Sequence, residues 1–189
     1  MACSNFTLGG YTTDDCSASK GGVLEVYIIN YDAISAVGVD GDPSSTAATA
    51  GMVTGFTANT ATTAPTDTDW HLYQMKRNTA SYTSTLNVDE TAGVNYVSTD
   101  VTIRFNKLQT KARIEMTSLT LAETRVIVKD ANGKYWLIGK DEPVVASAGS
   151  AQTGVQKSDG SYYELTLQGS DDTYPFEVPQ SVIDSLNIV

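Results

Sequence analysis

Basic residues are scarce in this 189-residue chain: 12 Lys and Arg stand against 22 Asp and Glu, for a formal net charge of −10. Proteins that grip nucleic acid do so with clustered Lys and Arg that displace counterions from phosphate, so this balance argues against a surface built to hold DNA or RNA. What remains is a solubilising acidic surface, or a wall past which nucleic acid slides without sticking. His71 is the only histidine and sits in Trp70-His71-Leu72-Tyr73, where a packed or surface imidazole explains it better than a catalytic base. Cys3 and Cys16 are the only cysteines. Neither stands at metal-ligand spacing from a second cysteine or the histidine, which argues against zinc, and free thiols are the expectation.

GxSxG, GxxxxGK[ST] and a GxGxxG following a strand are all missing, so nucleophile-elbow and phosphate-loop chemistry has no signature here. No stretch approaches the roughly 18 apolar residues of a membrane helix. Met1-Ala2-Cys3-Ser4 lacks the basic segment and apolar core of a secretory signal, so a soluble protein made in the cytoplasm is expected. Asp40-Gly41-Asp42 and Ser170-Asp171-Asp172 offer several oxygens each, but neither has EF-hand spacing, and acidic turn residues capping the backbone explain both.

The rest of the composition is 41% apolar and 18% charged, with Ser, Thr, Ala and Gly filling the remainder. That predicts one β-rich domain over residues 1–189, large enough to bury roughly 70% of its extended surface. Residues 1–22 show no sustained period and read as an arm packed on the surface. Val23 to Tyr31 is dense in β-branched and aromatic residues and reads as a strand. Residues 36–69 form a long loop excursion, interrupted by a short strand near Met52 to Phe56. It either reaches toward a neighbouring subunit or is a surface excursion. Trp70 to Met75 is a further strand.

Alternation is cleanest in two consecutive runs. Tyr82, Ser84, Leu86 and Val88 share one face, and Ser81, Thr83, Thr85 and Asn87 the other. In the second run Val97, Thr99, Val101, Ile103 and Phe105 oppose Ser98, Asp100, Thr102 and Arg104. The two strands are predicted to pair through the Asp89 to Tyr96 connection, with a polar face made by Ser81, Thr83, Thr85, Ser98, Asp100 and Thr102.

Asn106 and Gln109 have capping-box spacing and predict a helix start. At 100° per residue, Leu108, Ala112, Met116 and Leu119 form a core stripe. Ile114 and Leu121 fall on the opposite side, as exposed aliphatics or as an intersubunit contact. Asn132-Gly133 then predicts a type I′ hairpin with a two-residue loop. In that register Val128 and Leu137 point one way and Ile127, Trp136 and Ile138 the other. The helix covers one of these faces. The other is predicted to meet a second copy, making Ile127, Trp136 and Ile138 candidate intersubunit residues beside Ile114 and Leu121.

Strands follow at Val144 to Ala146 and Tyr162 to Leu167, linked through a Ser158-Asp159-Gly160 turn. Pro175 and Pro179 break regular structure, and Val182, Ile183 and Leu186 form one amphipathic turn.

The opening MACSNFTLGGYTTDDCSASKGG, the strand pair STLNVDETAGVNYVSTDV and the hairpin VIVKDANGKYWLIGKDEPV resemble the tail tube (major tail) proteins of tailed bacteriophages. The resemblance implies a β-sandwich or β-barrel subunit with one flanking α-helix, set in hexameric rings that stack into a tube conducting genomic DNA. It implies as partners other copies of the chain, a tape-measure protein in the lumen and tail completion proteins at the ends, with DNA passing through unbound. It brings no catalytic residue and no cofactor, and it implies a place in the virion tail after assembly in the host cytoplasm. In that setting the polar strand face is the candidate lumen lining. A capsid decoration or adhesin-like β-sandwich binding module is the alternative, and an enzyme is the class with least support.

Overall fold

A computed structural model describes residues 20–40, 51–61, 65, 67–89, 91, 93–156 and 159–189. It is mainly β, with 55% of the described residues in strands, several antiparallel sheets and one main helix. In chain order the elements are β1 (Val23–Asn30), β2 (Ile34–Val39), β3 (Val53–Ala58), β4 (His71–Gln74), β5 (Ala80–Asp89), β6 (Val94–Asn106), α1 (Thr110–Leu121), β7 (Thr124–Asp130), β8 (Tyr135–Ile138), β9 (Val145–Gln152), β10 (Tyr162–Asp171), β11 (Phe176–Val178) and a short α2 (Gln180–Ile183). The strands form a five-stranded sheet in the order β11-β8-β7-β1-β4, a four-stranded sheet in the order β5-β6-β10-β9, and a two-stranded ribbon of β2 and β3.

Alternation along β1 and β7 builds two cores on either side of the five-stranded sheet. Val26, Ile28, Val126, Val128 and Ile138 face Val101, Ile103, Leu165 and Leu167 of the four-stranded sheet, and Met116 and Leu119 of α1 join this cluster. Tyr27, Ile29, Ile127, Tyr135 and Leu137 face the other way, onto Val53 of the β2–β3 ribbon, Trp70, and Val182 and Ile183 of α2. The central strands are therefore buried on both faces by the chain's own segments. The 36–69 excursion is in part this ribbon, and it supplies cover that the sequence reading assigned to a second copy. The described Met52 and β3 agree with the expected short strand. The 1–19 portion of the N-terminal arm, Cys3, Cys16 and residues 41–50 lie outside the described residues.

The β7–β8 hairpin corrects the expected register. Its loop is Ala131-Asn132-Gly133: the Asp130 amide donates to the Lys134 carbonyl (2.9 Å) and the Gly133 amide to the Asp130 carbonyl (3.1 Å). Gly133 alone in this loop takes a positive φ, 85°. This is a three-residue connection with a glycine bulge, not a type I′ pair. The extra loop residue slides β8 by one, so Ile127 pairs Leu137 and Val128 pairs Trp136. A slip of one residue moves every β8 side chain to the other face. Ile127 and Ile138 consequently sit on opposite sides of the sheet, both wholly buried within the subunit. Trp136 packs half-buried against the first core.

Asp130 sets this turn, because its carboxylate accepts the amides of Asn132 (2.8 Å) and Lys134 (2.9 Å) and the Trp136 indole N–H (3.2 Å). Burial alone would raise its pKa, but these donors outweigh it and hold the carboxyl below its ordinary value of 3.8. A depressed carboxyl stabilises the fold above that ordinary value and loses the contribution as pH falls through the folded value. Asp130→Ala is expected to cost about 1–3 kcal/mol at neutral pH. The gap from the unaltered protein should shrink in strong acid, as urea midpoints at the two pH values will show.

The predicted capping box is also corrected. Asn106 is the last residue of β6, and the N-cap is Gln109, whose side chain makes no capping bond. Lys107, at φ 73°, turns the chain between strand and helix. The core stripe of α1 holds at Met116 and Leu119, while Leu108 precedes the helix and is exposed. Ile114 and Leu121 are 53% and 84% exposed, as their helical phase requires. Pro175 and Pro179 bracket β11, which pairs with β8, and α2 begins directly after Pro179.

Candidate functional site

The four-stranded sheet turns one face to the core, and Gly21 and Gly22 border one end of its other face, beside Ser81, Thr102, Arg104 and Glu164. On β5 and β6 the six predicted polar residues form directly opposed pairs on that outer face: Ser81 with Thr102, Thr83 with Asp100, and Thr85 with Ser98. The β5 members are exposed, and those on β6 are half-covered by flanking strands. All six therefore come together on one surface, as alternation predicted.

Strand β10 extends the rows. Thr166 stands beside Thr102, Gln168 beside Asp100 and Ser170 beside Ser98. The Gln168 amide donates to Asp100 Oδ1 (2.8 Å) and to Ser98 Oγ (3.4 Å), and the Thr102 and Thr166 hydroxyls are 3.3 Å apart. The sequence reading missed Thr166 and Gln168, although the alternation of β10 carried the signal. Across these rows Asp100 is the one charged group. Arg104, further along β6, lays its guanidinium over the Tyr162 ring, 3.2 Å from the centroid.

The edges of the two main sheets differ. In the five-stranded sheet, β11 is flanked by Met52 in a bridge to Glu177, and β4 by the 187–189 segment, with Trp70 and Leu72 donating to the Asn187 and Val189 carbonyls. In the four-stranded sheet, neither β5 nor β9 has a further strand beside it among the described residues. Every neighbouring pair in this sheet is antiparallel. With four strands, its two open edges run in opposite directions.

A cleft of about 630 Å³ opens where β6 ends, between β4 and the start of α1. Phe105 and Met75 line it, as do the cationic residues Lys76, Arg104, Lys107 and Lys111, with Glu115 as a carboxylate. Glu115 accepts the Tyr73 hydroxyl (3.0 Å).

Other candidate positions lie apart from this sheet face. His71 Nε2 is 2.9 Å from Asp67 in an exposed pair. Asp171 accepts the Gly139, Asp141 and Glu142 amides, capping the turn after β8 rather than its own. Among the described residues no three His, Cys, Asp or Glu side chains converge as a metal site requires. No described helix is long and apolar enough to cross a membrane. No protein-family model, curated protein or solved structure matches this chain.

Proposed function

We propose that this chain is the structural subunit of a phage tail tube, a virion protein whose copies close into hexameric rings and stack into a conduit for DNA. The observation that carries the reading is the contrast between sheet edges: among the described residues, both edges of the five-stranded sheet are flanked by further segments and neither edge of the four-stranded sheet has a strand beside it. An open edge is a template for another strand, and folded proteins normally cover it or give it a defined partner. Because β5 and β9 run in opposite directions, β9 of one copy can add to β5 of the next and continue the antiparallel order. Repeated by rotation, this head-to-tail contact closes into a ring. A barrel closed in this way has no edges left.

In such a ring the outer rows of Ser81, Thr83, Thr85, Ser98, Asp100 and Thr102 line the lumen. A hydroxyl-rich wall with a carboxylate and no Lys or Arg in these rows suits a passage that DNA must traverse, since it gives phosphates no counter-charge to hold. The tape-measure protein, tail completion proteins and passing DNA enter the reading through the family resemblance. The exposed Ile114 and Leu121 of α1 lie outside this sheet and remain available to a neighbouring copy.

Electron microscopy of the purified chain tests the proposal, which expects hollow rings or filaments of uniform width. A population of compact single particles, monomeric or trimeric, would favour a decoration or binding module instead. Within assembled tubes, Thr83→Lys with Ser98→Lys is expected to leave assembly intact and impair DNA passage. Unchanged infectivity would reject the lumen assignment.

A further inference from the structure

The cleft between β4, the end of β6 and the start of α1 has no part in the ring reading. Its volume of about 630 Å³ falls within the roughly 300–1,000 Å³ of small-molecule sites. Separate elements contribute its charges: Lys76 follows β4, Arg104 stands on β6, Lys107 lies in the turn after it and Lys111 in the first turn of α1.

Positive charge gathers here against the trend of the molecule. These four are a third of the chain's 12 basic residues, in a chain of net charge −10, and Glu115 is the one acidic side chain that lines the cleft with them. Glu115 is already engaged by the Tyr73 hydroxyl, and none of the four cations forms an ion pair among the described residues. Arg104 adds a buried donor, because its Nε has no hydrogen-bond partner among those residues. Like charges set round one cavity repel, and an anion between them removes that cost. The wall of the same cleft is apolar. Phe105 and Met75 pack partly against the first core and line the cleft with the rest of their surface.

We infer that this cleft binds a small organic phosphate, whose phosphate meets the cations while a flat apolar body rests on Phe105 and Met75. Lysines favour phosphate over carboxylate here: ammonium groups from separate elements each meet one of its several oxygens, whereas a carboxylate is best matched by a single planar fork. The negative field of the rest of the chain disfavours a long polyanion, so the ligand is a small molecule and not a nucleic acid. All the groups belong to one subunit, so binding does not depend on how copies join.

The test titrates phenyl phosphate, AMP, benzoate, inorganic phosphate and benzyl alcohol into the purified chain at concentrations too low for assembly, followed by calorimetry, with melting curves to show that each variant is folded. Phenyl phosphate or AMP is expected to bind about tenfold more tightly than inorganic phosphate, benzyl alcohol or benzoate. Tighter binding of AMP assigns a nucleotide and tighter binding of phenyl phosphate another aryl phosphate; either supports the site. Lys107→Gln with Lys111→Gln should weaken that binding about tenfold, while Lys134→Gln at the β7–β8 turn leaves it unchanged. Ala112→Trp, which fills the cleft, should abolish it. Equal affinity for inorganic and organic phosphates, preference for benzoate, or undiminished binding in the double lysine variant or in a folded Ala112→Trp chain would overturn the assignment. Because binding is read on unassembled subunits, that failure would leave the ring reading standing.

Discussion

A proline at Gly149 or at Ser150 is expected to separate folding from assembly, with one of the two variants folding normally and forming no rings. Along a strand, successive amides point to opposite edges, so one of these adjacent N–H groups faces β10 and the other faces the open edge of β9. Proline removes the donor. Toward β10 it breaks a ladder bond inside the subunit, and the variant melts earlier. Toward the open edge it leaves the subunit ladder intact and removes a bond that only a neighbouring copy makes. A lost backbone hydrogen bond with an unsatisfied partner costs about 1–3 kcal/mol, and a closed ring repeats the loss at every contact. Since about 1.4 kcal/mol is tenfold in an equilibrium constant, even the lower figure dissolves a ring held by six such contacts. Circular dichroism for folding and sedimentation for assembly read the two effects separately. Rings from both variants would show that β9 is not the joining edge.

Ile127→Ala and Ile138→Ala are each expected to destabilise the isolated subunit by about 2–5 kcal/mol, the usual cost of emptying a buried isoleucine site. Both residues are wholly enclosed, Ile127 against the ribbon side and Ile138 against the four-stranded sheet. Urea titration at concentrations too low for assembly keeps self-association out of the measurement. Ile114→Ser and Leu121→Ser should stay within about 0.5 kcal/mol, because their side chains already lie in water in the isolated subunit. An Ile127→Ala subunit as stable as the unaltered one would return Ile127 to the intersubunit role that the hairpin register removed.

This contrast marks where local pattern stopped being enough. Val97 to Phe105 and Tyr82 to Val88 could be paired and faced correctly because a period of two is written in consecutive residues and one long hairpin joins them. On α1 the helical period made Met116 and Leu119 legible as core and Ile114 and Leu121 as exposed, but not Leu108, which precedes the helix and is exposed. The β7–β8 register was not, because Asn-Gly occurs in both two- and three-residue loops, and the deciding contacts are those of the Asp130 carboxylate. The cover over Ile127 was also invisible: it comes from Val53, Trp70 and Ile183, which meet only once the chain has folded. Strand β9 was read short because its Ser, Ala and Gly residues have little β-propensity and are held as a strand by β10 alone. The closed edges of the five-stranded sheet depend on Met52 meeting Glu177 and Trp70 meeting Ile188, pairings with no local trace. The polar face was thus legible in the sequence, whereas the unpaired edges among the described residues were not.

Disulfide trapping across the joined edges measures the central claim most directly. Single cysteines at Thr83 on β5, each combined with one at Ser147, Ala148 or Ser150 on β9, go into a chain whose Cys3 and Cys16 are serine. Within one subunit β5 and β9 are three strand spacings apart, about 14 Å, well beyond the roughly 7 Å limit for bridging two cysteines. Any bond formed must therefore join two copies. On mild oxidation at least one combination should give a covalent ladder that ends at the ring number, and reductant should return it to monomer. Monomer alone from every combination, at concentrations where the unaltered chain is folded, would contradict the joining of β5 to β9 and the ring built on it.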